Sequence, residues 1–151
     1  MTGDFLFGIV VIPTKLLCFT KVMLFTTKTE YGLKALVILA KNKTKEPLSL
    51  GEISRQTEIS LGYLEQIFSK LKAGGLVLSL KGSGGGYVLA RPARCIKLLE
   101  VIEALEGDLA IFYCMSQEGC SSKYCLTKKV WVDLQNNIVK TLNKYKLSDL
   151  I

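Results

Sequence analysis

Apolar residues recur at helical intervals after Thr27, which predicts a first amphipathic helix. Thr27 and Glu30 have the spacing of a capping box, in which the Glu30 side chain reaches back to the N-cap residue. We therefore expect Thr27 to be the N-cap, and we expect the helix to end near Asn42. Its inner face would carry Tyr31, Ala35, Leu36, Leu39 and Ala40.

A short and a longer helix follow at helix-turn-helix spacing. Ser49 and Glu52 form a second capping box and open a helix of about eight residues. Ser60 can cap the longer helix, and Gly74-Gly75 ends it, as a left-handed C-terminal residue requires. The core side of this longer helix would carry Leu64, Ile67, Phe68 and Leu71.

The next segment is predicted to form a two-stranded wing. Residues 76–81 and 87–90 are predominantly apolar and flank the glycine-rich run Gly82-Ser83-Gly84-Gly85-Gly86. The run lacks the GK[ST] ending of a P-loop and joins strand to strand, which excludes a nucleotide-binding loop. Glycines at the tip would let the backbone pass close to DNA without a Cβ clash.

Two further helices are predicted after the wing. One begins near Leu98 and ends at Gly107, and a polar stretch from Tyr113 to Thr127 separates it from the other. The second is long, with an apolar stripe that suits a two-fold dimer, although packing on the winged unit is the alternative. The stripe consists of Val130, Trp131, Leu134, Ile138 and Leu142. The fold class is mainly α with a small β-wing: a winged helix-turn-helix plus a long C-terminal dimerisation helix.

The excess of basic over acidic residues falls mainly in the winged unit. The chain has 151 residues and a net charge of +7, and residues 23–92 hold ten Lys/Arg against five Glu. Such a segment suits double-stranded DNA, although a solubilising surface would look the same. We divide the chain into an N-terminal extension at 1–22, whose start codon is expected to be assigned too early, a DNA-binding region at 23–92, and a cysteine loop with dimerisation helices at 93–151.

Composition also excludes classes of function. The chain has no histidine, no nucleophile motif and no obvious carboxylate pair, so we expect no enzyme. It has no run of 18 apolar residues, so we expect no membrane partner. An odd number of cysteines argues against a disulfide framework and for a cytoplasmic protein.

Three of the five cysteines, Cys114, Cys120 and Cys125, fall within twelve residues. Thiolates are the usual ligands of iron–sulfur clusters, so three of them in one loop favour a cluster that needs a fourth ligand. Structural zinc, a thiol switch and incidental cysteines are the alternatives.

Four segments of the chain carry a resemblance: Leu24-Phe25-Thr26-Thr27-Lys28, Ser60-Leu61-Gly62-Tyr63-Leu64-Glu65-Gln66, Gly82-Ser83-Gly84-Gly85-Gly86-Tyr87, and Cys114-x5-Cys120-x4-Cys125-Leu126-Thr127 with Trp131 downstream. Together they resemble the Rrf-type (IscR/NsrR-like) family of winged helix-turn-helix iron–sulfur transcription regulators. The resemblance covers essentially all of residues 23–151. It implies a homodimer that binds a DNA operator, and in many members an iron–sulfur cluster held by the three loop cysteines.

The fourth cluster ligand is where the chain departs from IscR-type members. Those members have a histidine three residues after the third cysteine, and the matching position here is Lys128. In NsrR-like members an acidic residue near the start of the first helix completes the cluster from the other subunit, which makes Glu30 the candidate. Cys95 and an exogenous ligand are the alternatives. We favour [2Fe–2S] over [4Fe–4S], although both can use three cysteines.

The helix-turn-helix places the start of its second helix in the major groove. The candidates for base or nearby contacts are Leu61, Gly62, Tyr63, Glu65 and Gln66, and those for phosphate and wing contacts are Arg55, Lys70, Lys72, Lys81, Ser83 and Gly84. At the positions of Gly62, Lys81 and Ser83, IscR-type members have serine, arginine and proline. We therefore expect this chain to prefer a different DNA site and its wing to contact DNA less specifically.

Two other functions compete with this interpretation. One is an iron–sulfur carrier or assembly protein whose basic face contacts an acidic protein partner, which would need no DNA-binding motif. The other is a metal-free, thiol-based regulator, against which the three loop cysteines argue.

Overall fold

The computed structural model describes residues 25–42, 44, 46–82, 84–107, 109 and 126–151. This part of the chain is mainly helical, with one two-stranded sheet and short 3-10 helices at Ala93–Cys95 and Leu147–Leu150. The elements follow in the order α1 (Thr27–Lys41), α2 (Leu50–Thr57), α3 (Leu61–Ala73), β1 (Val77–Leu80), β2 (Gly86–Leu89), α4 (Leu98–Glu106) and α5 (Lys128–Lys144). None of the described helices is long and apolar enough to span a bilayer.

The N-cap of helix α1 lies one residue earlier than predicted. Thr26, not Thr27, is the N-cap, and its hydroxyl oxygen accepts a hydrogen bond from the N–H of Lys28. This register moves Glu30 one position beyond the box, where its carboxylate accepts a 2.7 Å hydrogen bond from Lys34 on the exposed side of the helix. The predicted capping box of Thr27 and Glu30 is therefore wrong.

The helix-turn-helix agrees with the sequence at three of its boundaries. The Ser49 hydroxyl oxygen accepts from the N–H of Glu52 at the start of α2, as predicted. Ser60 occupies the N-cap position of α3, but within the described chain its hydroxyl makes no capping hydrogen bond. At the end of α3, Gly75 is left-handed (φ +66°), and the N–H of Leu76 donates to the carbonyl of Leu71, which completes a Schellman motif.

Strands β1 and β2 form the wing, with antiparallel register from Val77 opposite Leu89 to Leu80 opposite Gly86. The segment before α2 joins them, because Leu48 and Tyr87 exchange backbone hydrogen bonds of 3.0 and 2.8 Å. This contact explains one glycine of the run: a Cβ at Gly86 would lie 2.5 Å from the Leu48 carbonyl. Close packing within the wing therefore requires that glycine, independently of DNA.

One core joins the helix-turn-helix to the C-terminal elements. Leu147, in the last 3-10 helix, is fully buried, and its N–H donates to the carbonyl of Ile96. Leu105 of α4 lies in the same core as residues of α1 and α3. The regions 23–92 and 93–151 thus share a core, and their division into separate functions stays a prediction.

Helix α5 contributes little to that core. None of its residues, all of which the structure describes, is buried, and Val130 and Leu134 are 60% and 41% exposed. Gln135 connects the helix to the rest of the chain through a 2.7 Å hydrogen bond to the carbonyl of Leu109. Two residues of the predicted apolar stripe are thus exposed in a single chain, and the other three, Trp131, Ile138 and Leu142, are half-buried.

Some predictions fall on residues outside the described part: the N-terminal extension at 1–22, the three loop cysteines Cys114, Cys120 and Cys125, and Ser83 of the wing.

Candidate nucleic-acid interface

Helix α3 presents an exposed strip on the side opposite its core face. Four of the predicted contact residues are exposed along it, with Leu61 47% accessible at its start. The residues that alternate with them at helical spacing are buried. The strip consists of Leu61, Gly62, Glu65, Gln66 and Ser69. Ser69 was not predicted from the sequence, although its position four residues after Glu65 places it on the same face.

Tyr63 differs from the other predicted contacts. It is half-buried, and its phenol oxygen lies 3.2 Å from the hydroxyl oxygen of Thr27 at the start of α1. Its ring packs edge-on against Tyr31, with 5.8 Å between the ring centroids. Tyr63 therefore connects the first turn of α3 to α1.

The four basic residues predicted to contact phosphate are all exposed: Arg55 in the last turn of α2, Lys70 and Lys72 in the last turn of α3, and Lys81 directly after β1. Lys70 differs from the other three in making a contact with another helix. Its ammonium donates a 2.7 Å hydrogen bond to the backbone carbonyl of Leu105, near the end of α4.

The wing tip has backbone conformations that favour glycine. Gly82 and Gly84 have φ angles of +114° and +86°, and a Cβ at either position would meet open space. Positive φ, rather than crowding, therefore explains these two glycines. Lys81 is exposed directly before them, so the structure brings together the basic residue and the turn that sequence reasoning assigned to the wing.

The end of α4 holds a carboxylate that sequence reasoning missed. Glu106 accepts hydrogen bonds from the N–H of Thr26 (3.1 Å), the Thr26 hydroxyl (2.5 Å) and the Thr29 hydroxyl (2.8 Å), and it lies 3.6 Å from the Lys28 ammonium. Burial by itself would raise the pKa of Glu106. The hydrogen bonds and the Lys28 charge outweigh burial, so the pKa lies below its usual value.

A signal for this contact is present in the sequence. An acidic residue in the last turn of a helix has the unfavourable sign for the helix dipole. Glu106 occupies the last residue of α4, so a compensating partner elsewhere in the fold was to be expected.

Glu30, the candidate fourth ligand, is exposed on α1. Its carboxylate pairs with Lys34, and this hydrogen bond together with the negative charge raises the pKa of the Lys34 ammonium. Both residues line an open groove of about 540 Å³ whose apolar walls include Leu33, Val37 and Leu150. Because Glu30 does not cap its own helix, its carboxylate is accessible from outside the chain.

Within the described residues, no three cysteine or acidic side chains converge in a way that could hold a metal ion. Cys95 is an exposed free thiol, and Lys128 opens α5. The donor set of the three loop cysteines, which lie outside these residues, has the chemistry that an iron–sulfur cluster requires.

Comparisons with known proteins agree on one family. The family model Rrf2, described as "Iron-dependent Transcriptional regulator", matches residues 25–151. The HTH-type transcriptional regulator IscR of Xenorhabdus nematophila is 39% identical over 130 residues, which is 85% of this chain and 79% of that protein.

Solved structures give the same result. CymR, the global cysteine regulator of B. subtilis, is similar with a TM-score of 0.71 and 32% identity, covering 83% of this chain and 94% of that one. IscR of T. potens is similar with a TM-score of 0.69 and 34% identity, covering 83% and 84%. The relatives are transcriptional regulators rather than enzymes.

Proposed function

Because the chain belongs to the Rrf2 family of DNA-binding transcriptional regulators, we propose that it acts as a homodimer whose binding to a DNA operator is controlled by an iron–sulfur cluster. The observation that carries the DNA-binding part is the exposed strip of α3, flanked by basic residues and by the wing.

The strip supports a specific division of roles in the major groove. Gln66 has the donor and acceptor pair that matches adenine, and Glu65 can accept a hydrogen bond from cytosine while rejecting other bases. Arg55, Lys72 and Lys81 would contact phosphates, which position the protein without reading sequence. Tyr63 would hold the first turn of α3 against α1 through Thr27.

The exposed stripe of α5 supports the dimer. Val130 and Leu134 leave apolar surface that a second copy of the same helix would cover, and a two-fold axis would present two recognition helices to a palindromic operator.

The three loop cysteines, Cys114, Cys120 and Cys125, would hold the cluster as thiolates, and Glu30 of the partner subunit would be the fourth ligand. A [2Fe–2S] cluster is favoured over [4Fe–4S]. When bound, the cluster would supply a centre that reacts with nitric oxide or oxygen and whose presence depends on iron status. A carboxylate is a harder donor than a thiolate, so the Glu30 bond would be the easiest to break.

The first experiment is an absorption spectrum with iron, sulfide and zinc assays on protein purified without oxygen. We expect a brown protein with matched iron and sulfide, and a colourless one when Cys114, Cys120 and Cys125 are replaced by serine. The matched control is Cys95→Ser, which should stay brown. A colourless wild-type protein with one zinc per chain would contradict cluster sensing.

The role of Glu30 is tested by Glu30→Ala, which should lower cluster stability and change the response of operator binding to nitric oxide. Lys34→Ala is the control, because it removes the same ion pair but leaves the carboxylate in place. Equal effects of the two variants, or no effect of either, would exclude Glu30 as a ligand.

A metal-free thiol regulator is the second candidate, and the similarity to the global cysteine regulator CymR favours it. If this is the function, we expect the purified protein to contain no metal. Its operator affinity should change when the loop cysteines are oxidised and should return to the starting value when they are reduced.

A further inference from the structure

The end of α4 packs tightly against both α1 and α3. A Cβ at Gly32 of α1 would overlap the side chain of Leu105, and a Cβ at Gly74 would lie 2.7 Å from the Cβ of Ala104. Both close approaches are made by the last two turns of α4, so the helices touch where α4 ends.

Polar contacts join the same three helices. The Leu105 carbonyl is one of the last four of α4, which lack partners within the helix, and the Lys70 ammonium of α3 donates to it. One residue later, the Glu106 carboxylate accepts from Thr26 and Thr29 of α1. Each contact matches a charged side chain to the appropriate helix end: a cation at the C-terminus of α4 and an anion at the N-terminus of α1.

The position of this contact in the chain gives it a functional meaning. The polar stretch from Tyr113 to Thr127, the cysteine segment, carries the three loop cysteines and follows α4 in the chain, and α3 carries the exposed strip. Lys70 therefore connects the end of α4 to α3, and Glu106 connects it to α1.

We propose that Lys70 and Glu106 are positioning residues that transmit the state of the cysteine segment to the recognition helix, and that Lys70 is not a phosphate contact. The transmission rests on the proposed function, whereas the structural role of Lys70 does not. This structural role replaces the prediction from the sequence that Lys70 contacts a DNA phosphate.

The test compares Lys70→Met with Lys72→Met, which removes the exposed ammonium two residues away on the same helix. Operator affinity is measured at several salt concentrations, for cluster-loaded and cluster-free protein. Lys72→Met should lower the salt slope by about 0.9 for each phosphate that is no longer neutralised, and it should leave the ratio of the two affinities unchanged. Lys70→Met should keep the wild-type slope and reduce the ratio by about tenfold or more, toward one.

Two further variants separate coupling from a general loss of structure. Lys70→Arg keeps a donor for the Leu105 carbonyl and should restore the ratio. Glu106→Ala should also reduce the ratio without changing the salt slope. Thermal unfolding of each variant confirms that it is folded.

A Lys70→Met variant whose salt slope falls as that of Lys72→Met does, and which keeps the affinity ratio, would overturn the proposal. If wild-type protein has equal affinities in both states, control by the cluster fails while the position of Lys70 is still tested. In that case weaker operator binding at an unchanged slope supports a positioning role, and unchanged binding overturns it.

Discussion

The Glu106 carboxylate accepts hydrogen bonds from both the backbone N–H and the hydroxyl of Thr26, a residue 80 positions earlier in the chain. This contact places an anion at the N-terminus of α1, where the helix dipole favours it. It also explains why the helix begins at Thr27 with Thr26 as its cap: the Thr26 hydroxyl can donate to Glu106 while accepting from Lys28.

Glu106 makes the stability of the fold depend on pH. Its pKa in the folded chain is lowered from the reference value of 4.5, so its contribution is present above that value and is lost as pH falls through the folded-state pKa. We expect Glu106→Gln to be about 1 kcal/mol less stable than wild type at pH 7, and the difference should shrink at acidic pH.

Urea unfolding at fixed protein concentration, repeated between pH 7 and pH 3.5, measures this effect. Glu103→Gln is the control, because Glu103 is an exposed residue of the same helix. A stability difference for Glu106→Gln that does not change with pH would contradict the assignment.

The turn between α2 and α3 contains a strained residue. Glu58 adopts the left-handed conformation (φ 60°, ψ 18°), which costs a residue with a side chain about 1–2 kcal/mol. Glu58→Gly removes this strain but increases the entropy of the unfolded chain, so we expect a net stabilisation of about 0.5–1 kcal/mol. Glu58→Gln, which removes the charge and keeps the strain, should not stabilise the fold in the same unfolding assay.

The contact between the end of α3 and α4 leaves no room for a methyl group at Gly74. Gly74→Ala would place a Cβ 2.7 Å from that of Ala104, and we expect a destabilisation of about 1–3 kcal/mol by thermal or urea unfolding. Gly51→Ala is the matched control, since Gly51 is an exposed residue of α2 whose Cβ would have only an ordinary contact. It should be neutral or slightly stabilising, by up to about 1 kcal/mol.

The proposed dimer depends on the apolar stripe of α5. Leu134→Glu would place a charge in the centre of a dimer interface on both subunits, and we expect the dissociation constant to rise by about 100-fold or more. Sedimentation equilibrium measures this change. Asn136→Glu, an exposed position beside the stripe, should leave the dimer intact; equal behaviour of both variants would contradict dimerisation through this face.

Lys81, which directly follows β1 of the wing, is expected to contact a phosphate of the DNA. Lys81→Ala should weaken operator binding and lower the salt slope by about 0.9 for each phosphate that it neutralises, with little effect on sequence preference. Affinity measured over a range of salt concentrations checks this, and a slope equal to that of wild type would remove Lys81 from the contact surface.

Much of the fold could be predicted from the sequence because its signals are local. The Ser49 cap, the Gly74-Gly75 helix end and the alternation of core and exposed residues along α3 each depend on spacing within one element. The wing also followed from its glycines, although these serve close packing at Gly85 and Gly86 and backbone conformation at Gly82 and Gly84, in ways that the sequence does not distinguish.

The contacts between elements could not be predicted in the same way. A cap at Thr27 and a cap one residue earlier look equally plausible along the chain, and the choice was made by Glu106 from another helix. Lys70 has the sequence environment of a phosphate contact, yet its ammonium meets the end of α4.

The sequence by itself thus determined the helices, the wing and the core face of α3, because periodicity and caps are properties of neighbouring residues, and its motifs indicated the family. Only the tertiary structure decided which charged side chains face solvent and which join helix ends, because that depends on distances between residues far apart in the chain. At the end of α4 this decision brings α1, α3 and the last turn of α4 into one set of contacts.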